Sequence, residues 1–581
     1  MGLAQINATV GDIDRNARRI LSALEEAREC RVDLIAFPEL SLTGYPPEDL
    51  LLKPNFISDN LAALSLLVER TRGIMAVFGV VDREDDIFNA AAIAHNGRLI
   101  YIYHKCLLPN YGVFDENRYF QPGRRQAVFV LNGIRIGVSI CEDIWYPDGP
   151  PYIQALGGGA ELIVNINASP YHIGKEEARE RMLATRAQDN GVIVAYVNLV
   201  GGQDELVFDG QSSIFDQQGA LLSRAAAFEE QLLIADLDLD SVFRGRLHDP
   251  RRRKEMLAVD LPPVERFSLS KVSGKKPPVP VRPTLTPRRH PCAEIYEALA
   301  LGIRDYVEKN GFSKVLVGLS GGIDSSLTAA LAVDALGKGG VVGVFMPSRF
   351  TSRESGEDVE LLVKNLGIEL LTISIETPFG AFLNLLAPVF KEHPAGIAEE
   401  NLQSRIRGNL LMALSNQFGW LVLTTGNKSE LSVGYATLYG DMAGGFAVIK
   451  DLFKRRVYEL GRYRNERDRE EIIPPRVFVK APTAELKFDQ TDQDTLPPYD
   501  LLDPILEAYV EEDKTFDEIV AMGYPRKTVA KVIALVDVSE FKRRQAPVGI
   551  KITSRALGKD RRMPITNRYR GFNPARRKGV G

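Results

Sequence analysis

Seven residues, Ser320-Gly321-Gly322-Ile323-Asp324-Ser325-Ser326, stand between an apolar β-type run over 315–319 and a helix-forming run that begins near Leu327. Gly321 and Gly322 carry no Cβ and can adopt φ > 0, so the backbone can come close to an anion there. The first N–H groups and the positive dipole end of the following helix face the same place. Ser320, Ser325 and Ser326 add hydroxyl donors, and Asp324 adds a carboxylate. A glycine pair alone is commonly an ordinary turn. The hydroxyls and the carboxylate around this one, at a strand-to-helix switch, favour a cradle for nucleotide phosphates. The loop holds no lysine, which separates it from the G-x-x-x-x-G-K-[ST] loop of kinases and GTPases and points to cleavage of a different bond of ATP.

Around this junction the order is regular: a helix near 293–308, a strand over 315–319, a helix to Leu336, a strand over 341–345 and a helix near 354–366. Strand, helix and parallel strand in repetition imply an α/β fold with a doubly wound parallel sheet. Ligands of such sheets bind at the carboxyl ends of the strands, where the serine-glycine loop lies. Upstream, strands over 33–37, 74–81, 98–103, 135–140, 161–166 and 192–197 alternate with helices over 16–29 and 176–189. The segment 268–290 is rich in Pro, Lys and Ser and cannot bury a core, so it reads as a linker between domains 1–267 and 291–581.

A chain of 581 residues is too long for one core, which agrees with two domains. A net charge of −4 gives no global pull toward nucleic acid or an anionic membrane. No apolar stretch approaches the length of a membrane span, and no leader stands at Met1, so a cytoplasmic location is the expectation. Cys30, Cys106, Cys141 and Cys292 are scattered without C-x-x-C pairing, which argues against a disulfide framework and a zinc site. Any cysteine that matters should matter as a thiol.

Three reactive side chains follow three separate strands in the first half: Glu39 after 34–38, Lys105 after 99–104 and Cys141 after 136–140. A lone cysteine is more often a small buried hydrophobe, and a lone Glu or Lys after a strand is usually a solvated loop charge. Together they form a workable constellation. A carboxylate can take the thiol proton, and an ammonium favours the thiolate and then a developing oxyanion. Cysteine-histidine chemistry is the competitor, with His104 and His172 as its candidates. Spacing alone leaves both open.

Phe37-Pro38-Glu39-Leu40, His104-Lys105-Cys106-Leu107-Leu108-Pro109-Asn110-Tyr111 and Cys141-Glu142-Asp143-Ile144-Trp145 resemble the three signature segments of the nitrilase, or carbon-nitrogen hydrolase, superfamily. The resemblance covers about the first 265 residues. It implies a four-layer α-β-β-α sandwich with Glu39 as general base, Lys105 as oxyanion and proton-handling partner and Cys141 as nucleophile. In glutaminase members the positions matching Tyr111, Ser169 and Lys175 hold glutamine. Glu116 resembles an auxiliary carboxylate near the triad, with a surface acid as the alternative.

The loop itself resembles the S-G-G-x-D-S loop of the ATP pyrophosphatase superfamily, which holds pyrophosphate as it leaves during adenylation. Met346-Pro347-Ser348-Arg349, the segment 401–408, Thr424-Thr425-Gly426-Asn427-Lys428-Ser429-Glu430, the segment 482–498 and Lys551-Ile552-Thr553-Ser554-Arg555 extend the likeness to the glutamine-dependent NAD synthetase family over nearly the whole chain. In the second segment Leu402, Ile406, Leu410 and Leu414 recur at helical spacing, beside a polar stripe of Asn401, Arg405 and Asn409 whose plain reading is a solvated face.

The family resemblance implies that Gly318, Leu319, Ser320, Gly321, Gly322, Ile323, Asp324, Ser325 and Thr425 contact ATP. It implies that Asn401, Glu430 and Lys542 contact deamido-NAD, and that Asp324 and Glu430 hold Mg²⁺. The implied reaction takes deamido-NAD, ATP and glutamine to NAD, AMP, pyrophosphate and glutamate. Rival readings are another glutamine-dependent amide ligase, and an ammonia-dependent synthetase whose first half is an inactive scaffold. The expected partners are these small molecules, with no nucleic acid and no membrane. Oligomers are common in families of this kind, so a homo-oligomer is expected.

The last 31 residues carry ten Lys or Arg and one Asp, a density that can mark nucleic-acid binding. Stacking aromatics there are sparse, so Arg555, Arg561 and Arg562 read as phosphate-ordering or oligomer contacts, with fraying after Gly571.

Overall fold

The computed structural model describes residues 1–271, 283–391 and 396–569. The expectation of fraying after Gly571 and residues 272–282 of the expected linker fall outside the described residues. The chain divides into two compact units, one of residues 1–203 with 207–288 and one of residues 289–581 with 204–206. Among the described residues no helix is long and apolar enough to cross a membrane.

The first unit is built around two large sheets. Strands Gln231–Ile234, Gly2–Gln5, Leu34–Ala36, Met75–Arg83, Ile87–His95 and Arg98–His104 lie side by side in that order. Strands Leu221–Arg224, Ser213–Phe215, Ile193–Asn198, Leu162–Asn167, Ile134–Ile140, Gln126–Leu131 and Val264–Ser268 form the other. Alternation along each strand sorts the side chains by layer. Leu34, Ala36, Met75, Val77 and Ile93 share one buried cluster with Phe129, Val138, Val164 and Val197, so the sheets pack face to face. Ile35, Ala76 and Phe78 point the other way and meet Ile20, Leu24, Leu64 and Leu67 of helices Ile13–Glu29 and Pro54–Glu69. Ile163, Val194 and Tyr196 meet Ala155, Leu183 and Ala187 of helices Pro150–Leu156 and Lys175–Asn190. These layers are the four-layer α-β-β-α sandwich.

The second unit holds five strands in the order Glu369–Thr372, Val341–Phe345, Val315–Leu319, Leu421–Thr424 and Phe446–Ala447, all parallel. Successive strands step outward from Val315–Leu319 in one direction and then in the other. The switch point of this doubly wound sheet therefore lies beside that strand, at whose end the serine-glycine loop begins. Leu316, Val342, Val344 and Val422 pack on Phe379, Ile406 and Leu411 from helices Glu376–Phe390 and Ile397–Phe418. A separate core joins Leu431 and Val433 to Leu502, Ile505, Phe516, Ile519, Val532 and Val536 of the later helices.

Several boundaries differ from expectation. The helix after the loop starts at Ile323, four residues before Leu327, so Asp324 and Ser325 sit in its first turn. The first helix starts at Ile13 because the Asp12 side chain caps it, accepting from the Arg15 N–H at 3.2 Å. Helix Pro54–Glu69 and strand Ile87–His95 were not expected at all.

Candidate active sites

Lys105 and Cys141 stand immediately past the carboxyl ends of their strands and Glu39 three residues past the end of its own, and the packed sheets bring them to one buried place. Gly79 is what allows the Glu39 segment to lie so close: a Cβ there would come within 2.1 Å of the Pro38 carbonyl oxygen. Lys105 Nζ donates to Glu39 Oε1 at 2.7 Å and to both carboxylate oxygens of Glu116 at 2.8 Å. All three side chains are buried, so the surface-acid alternative for Glu116 does not hold. Glu39 Oε1 also accepts from Asn89 Nδ2 at 2.7 Å, and its Oε2 accepts from the Ala168 N–H at 2.9 Å. Tyr45 donates to Glu116 at 2.9 Å.

The charges balance only as a set. Burial alone would depress the Lys105 ammonium, but the facing carboxylates of Glu116 and Glu39 outweigh it and hold the group well above the usual lysine range. Burial pushes Glu116 up to about 7, with Lys105 pulling it down and Glu39 pushing it further up. Burial also raises the Cys141 thiol well above its usual value; Glu39 adds to the shift and Lys105 opposes it. Cys141 is therefore held as a neutral thiol beside a carboxylate, rather than as a preformed thiolate. Cys141 opens a tight turn over Cys141–Ile144 with φ of +43°, a left-handed conformation that is costly for a residue with a Cβ.

Each of the competing histidines has a partner of its own. His104 Nε2 is 2.8 Å from Asp82 Oδ2, and its ring stacks on Phe88 at 3.9 Å. His172 Nδ1 lies 2.9 Å from the carbonyl oxygen of Ile173.

The three candidate glutamine residues border this place. Tyr111 donates to the Glu142 carboxylate at 2.9 Å. The Ser169 N–H donates to Asn198 Oδ1 at 2.9 Å, and Lys175 Nζ lies 4.4 Å above the Trp145 ring. Burial lowers the Lys175 ammonium, as does Arg179 one turn further along the helix. Arg179 is itself buried in a two-pronged pair with Asp209, at 3.0 and 2.7 Å, and Asp209 also accepts from Asn198 at 3.2 Å. This pair fixes the elements that carry Ser169 and Lys175.

In the second unit a cavity of about 290 Å³ is lined by Gly318 to Ser325, Thr425 and Glu430. Only Gly321 uses the left-handed region, with φ of +78°, and a Cβ there would come within 2.6 Å of the Ser355 carbonyl oxygen. Gly322 has φ of −100°, so only one of the two glycines uses the freedom that both possess. Ser326 is likewise corrected: its hydroxyl donates to the Gly322 carbonyl at 2.8 Å and shapes the loop instead of facing the cavity.

Asp324, Glu430 and Thr425 converge from two strand ends. Asn427 caps the short helix Lys428–Val433 and donates to Asp324 Oδ1 at 2.9 Å. Lys454 Nζ stands between Asp324 Oδ2 at 2.5 Å and Glu430 Oε1 at 3.2 Å. Burial pushes Glu430 up to about 8; Lys454 lowers it, and Asp324 raises it. Asn401 and Lys542 are not on the cavity wall. Asn401 accepts from the Thr437 hydroxyl at 2.8 Å, and Lys542 donates to the carbonyls of Gly434 and Ala436 at 2.8 Å, so both grip one segment of wall from behind. Arg405 joins them by donating to the Leu438 carbonyl at 3.2 Å, so the polar stripe is only partly solvated. Arg561 is buried against Glu540, which corrects its reading as a phosphate or oligomer contact.

Sequence reading missed Asn89, Tyr45 and Lys454. The first lies on the unexpected strand. A lysine that opens the basic run Lys454-Arg455-Arg456 gives no signal that it will be buried among carboxylates.

A buried Glu-Lys-Cys set on a nitrilase-type sandwich, joined in one chain to a doubly wound sheet with a phosphate loop, defines a two-part ATP-dependent amide ligase. Residues 1–246 match the carbon-nitrogen hydrolase family, and residues 295–546 match the NAD synthase family. The glutamine-dependent NAD(+) synthetase of Thermotoga maritima is 52% identical over 98% of this chain and 98% of its own length. That of Aquifex aeolicus is 51% identical over 98% and 99%. The solved glutamine-dependent NAD+ synthetase of Acinetobacter baumannii, in complex with adenosine diphosphate, is 42% identical with a TM-score of 0.73 over 97% of this chain and 98% of that one. The chain belongs to the glutamine-dependent NAD(+) synthetase family.

Proposed function

We propose that the two centres act in series: the first frees ammonia from glutamine and the second spends ATP to join it to deamido-NAD. The observation that carries this reading is the convergence of Glu39, Lys105 and Cys141 in one unit with the Gly318 to Ser325 cradle in the other.

In the first centre Glu39 takes the Cys141 proton as the sulfur attacks the amide carbon of glutamine, which Tyr111, Ser169 and Lys175 hold. Lys105 faces the oxygen that gains charge, and its retained ammonium makes it a donor there. Glu39 then returns the proton to the departing nitrogen, and ammonia leaves. Water, deprotonated by the same carboxylate, hydrolyses the thioester to glutamate and restores the thiol. Glu116 keeps Lys105 charged throughout.

In the second centre a carboxylate is too poor an electrophile to accept ammonia directly. The carboxylate of deamido-NAD attacks the α-phosphorus of ATP, and pyrophosphate departs into the loop cradle. Ammonia then displaces AMP from the acyl-adenylate to give the amide. Gly318, Leu319, Ser320, Gly321, Gly322, Ile323, Ser325 and Thr425 line the ATP side. Glu430 faces deamido-NAD, while Asn401 and Lys542 contribute through the wall segment that they hold.

Asp324 and Glu430 present hard carboxylate oxygens to one point, where an ammonium now stands between them, and this donor set suits Mg²⁺. The ion when bound neutralises phosphate charge as the α-phosphorus is attacked. Cytoplasmic action on free small molecules, with no nucleic acid or membrane partner, completes the proposal, together with assembly as a homo-oligomer.

The test is to supply the full chain with ATP, Mg²⁺ and glutamine, with deamido-NAD or other nucleotide carboxylates as acceptor. NAD, AMP and pyrophosphate formed in equal amounts with deamido-NAD are expected. AMP release that requires a different acid would replace this reading with that of another amide ligase.

A further inference from the structure

Lys105 and Cys141 come from different strands, Arg98–His104 and Ile134–Ile140, that are not neighbours and lie in different sheets. Nothing in the backbone ladders therefore fixes the distance between the ammonium and the sulfur. One side chain spans the gap. Asp143 is completely buried, and its two oxygens accept four hydrogen bonds. Oδ1 takes the N–H groups of Cys106 at 3.1 Å and Leu107 at 2.9 Å. Oδ2 takes the Ile140 N–H at 3.0 Å and the Tyr103 hydroxyl at 2.8 Å.

Three of these donors bracket Lys105, from Tyr103 to Leu107, and the fourth belongs to the residue before Cys141. The Ile140 bond also closes the turn in which Cys141 is held at φ of +43°, a conformation that needs an external tie to persist. Asp143 thus grips both reacting segments at once, without touching the place where glutamine would react.

We propose that Asp143 is a positioning residue that sets the separation between Lys105 and Cys141 for glutamine hydrolysis. The proposal rests on the assignment of those two residues to that reaction. An amide at this position would break one of the two grips, because its NH₂ would face donors on one side whichever way it is turned. A displacement of about 1 Å between reacting groups costs about 100-fold in rate.

The experiment compares wild type, Asp143→Asn, Tyr103→Phe and Cys141→Ala, each as the full chain, for glutamine hydrolysis and for ammonium-supported NAD formation. For Asp143→Asn, kcat for glutamine should fall about 100-fold with KM within about threefold, while ammonium-supported turnover stays within about twofold. Tyr103→Phe removes one donor without leaving a donor-donor clash and should lower kcat by about fivefold, again without a KM change. It decides the matter if Asp143→Asn does not fold. A kcat within twofold of wild type in a folded Asp143→Asn or in Tyr103→Phe overturns the proposal. So does a loss confined to KM, or an equal loss of ammonium-supported turnover. Glutamine hydrolysis surviving in Cys141→Ala would instead sink the underlying assignment of the nucleophile.

Discussion

The candidate site of the first unit has its counter-charges built in. Lys105 meets three carboxylate oxygens, each of those carboxylates has further donors, and Cys141 lies buried beside them as a neutral thiol. The second unit differs. Asp324 and Glu430 share a single ammonium, that of Lys454, on the wall of an open cavity, and Glu430 is pushed up to about 8 by burial. A reaction that forms a bond to the protein needs its reacting atoms fixed beforehand. One that handles four phosphate-borne charges can leave its electrostatics to be completed by the ligands themselves. The two halves are therefore built for different kinds of work, and damage to one should show a signature foreign to the other.

The largest effect should come from the open site. Asp324→Ala removes the carboxylate on which Asn427 and Lys454 converge, and NAD formation should fall by at least about 1,000-fold with either glutamine or ammonium. Glutamine hydrolysis should remain measurable. Near-normal ammonium-supported turnover would refute the role of Asp324.

Next is the scaffold of the closed site. Arg179→Met leaves Asp209 buried without its partner, which should destabilise the first unit by about 3–5 kcal/mol. Calorimetry should show one transition moved to lower temperature and the transition of the second unit unmoved. A single unshifted profile would contradict the importance of that pair.

A smaller effect should separate the sites by pH. Glu116 has its pKa raised to about 7, so below that value it carries a proton and no longer helps hold the Lys105 ammonium in place. Glutamine hydrolysis should therefore fall as pH drops through about 7, while ammonium-supported turnover at the second site should show instead the limb of Glu430, near about 8, once the ammonia concentration is corrected for. Glu116→Gln should lower the rate by about tenfold and abolish the limb. A limb unchanged in that variant would assign it to another group.

How much of this was legible in the sequence follows from where each residue sits. Glu39, Lys105 and Cys141 could be found because each ends an apolar strand and stands in a recognisable segment. Asn89, which donates to Glu39, could not. Its strand Ile87–His95 is alanine-rich and buried along almost its whole length, so it lacks the alternation that marks a half-exposed strand. Lys454 carried no such signal, since only the fold brings Asp324 and Glu430 to it across long stretches of chain. The start of the helix at Ile323 was misplaced because Asp and Ser favour turns and caps by local propensity, and here tertiary packing overrides them. Asn401 and Lys542 were found as members of a family pattern, but their place behind the wall at Gly434 to Thr437 is a matter of packing that no spacing encodes.

The separation of the two chemistries is tested most directly by NAD formation from deamido-NAD and ATP in Cys141→Ala, measured side by side with glutamine and with ammonium. The two-centre account predicts that turnover with glutamine falls by at least about 1,000-fold and that turnover with ammonium stays within about twofold of wild type. Equal loss with both nitrogen sources would contradict separate sites, and no loss with glutamine would reduce the first unit to a scaffold.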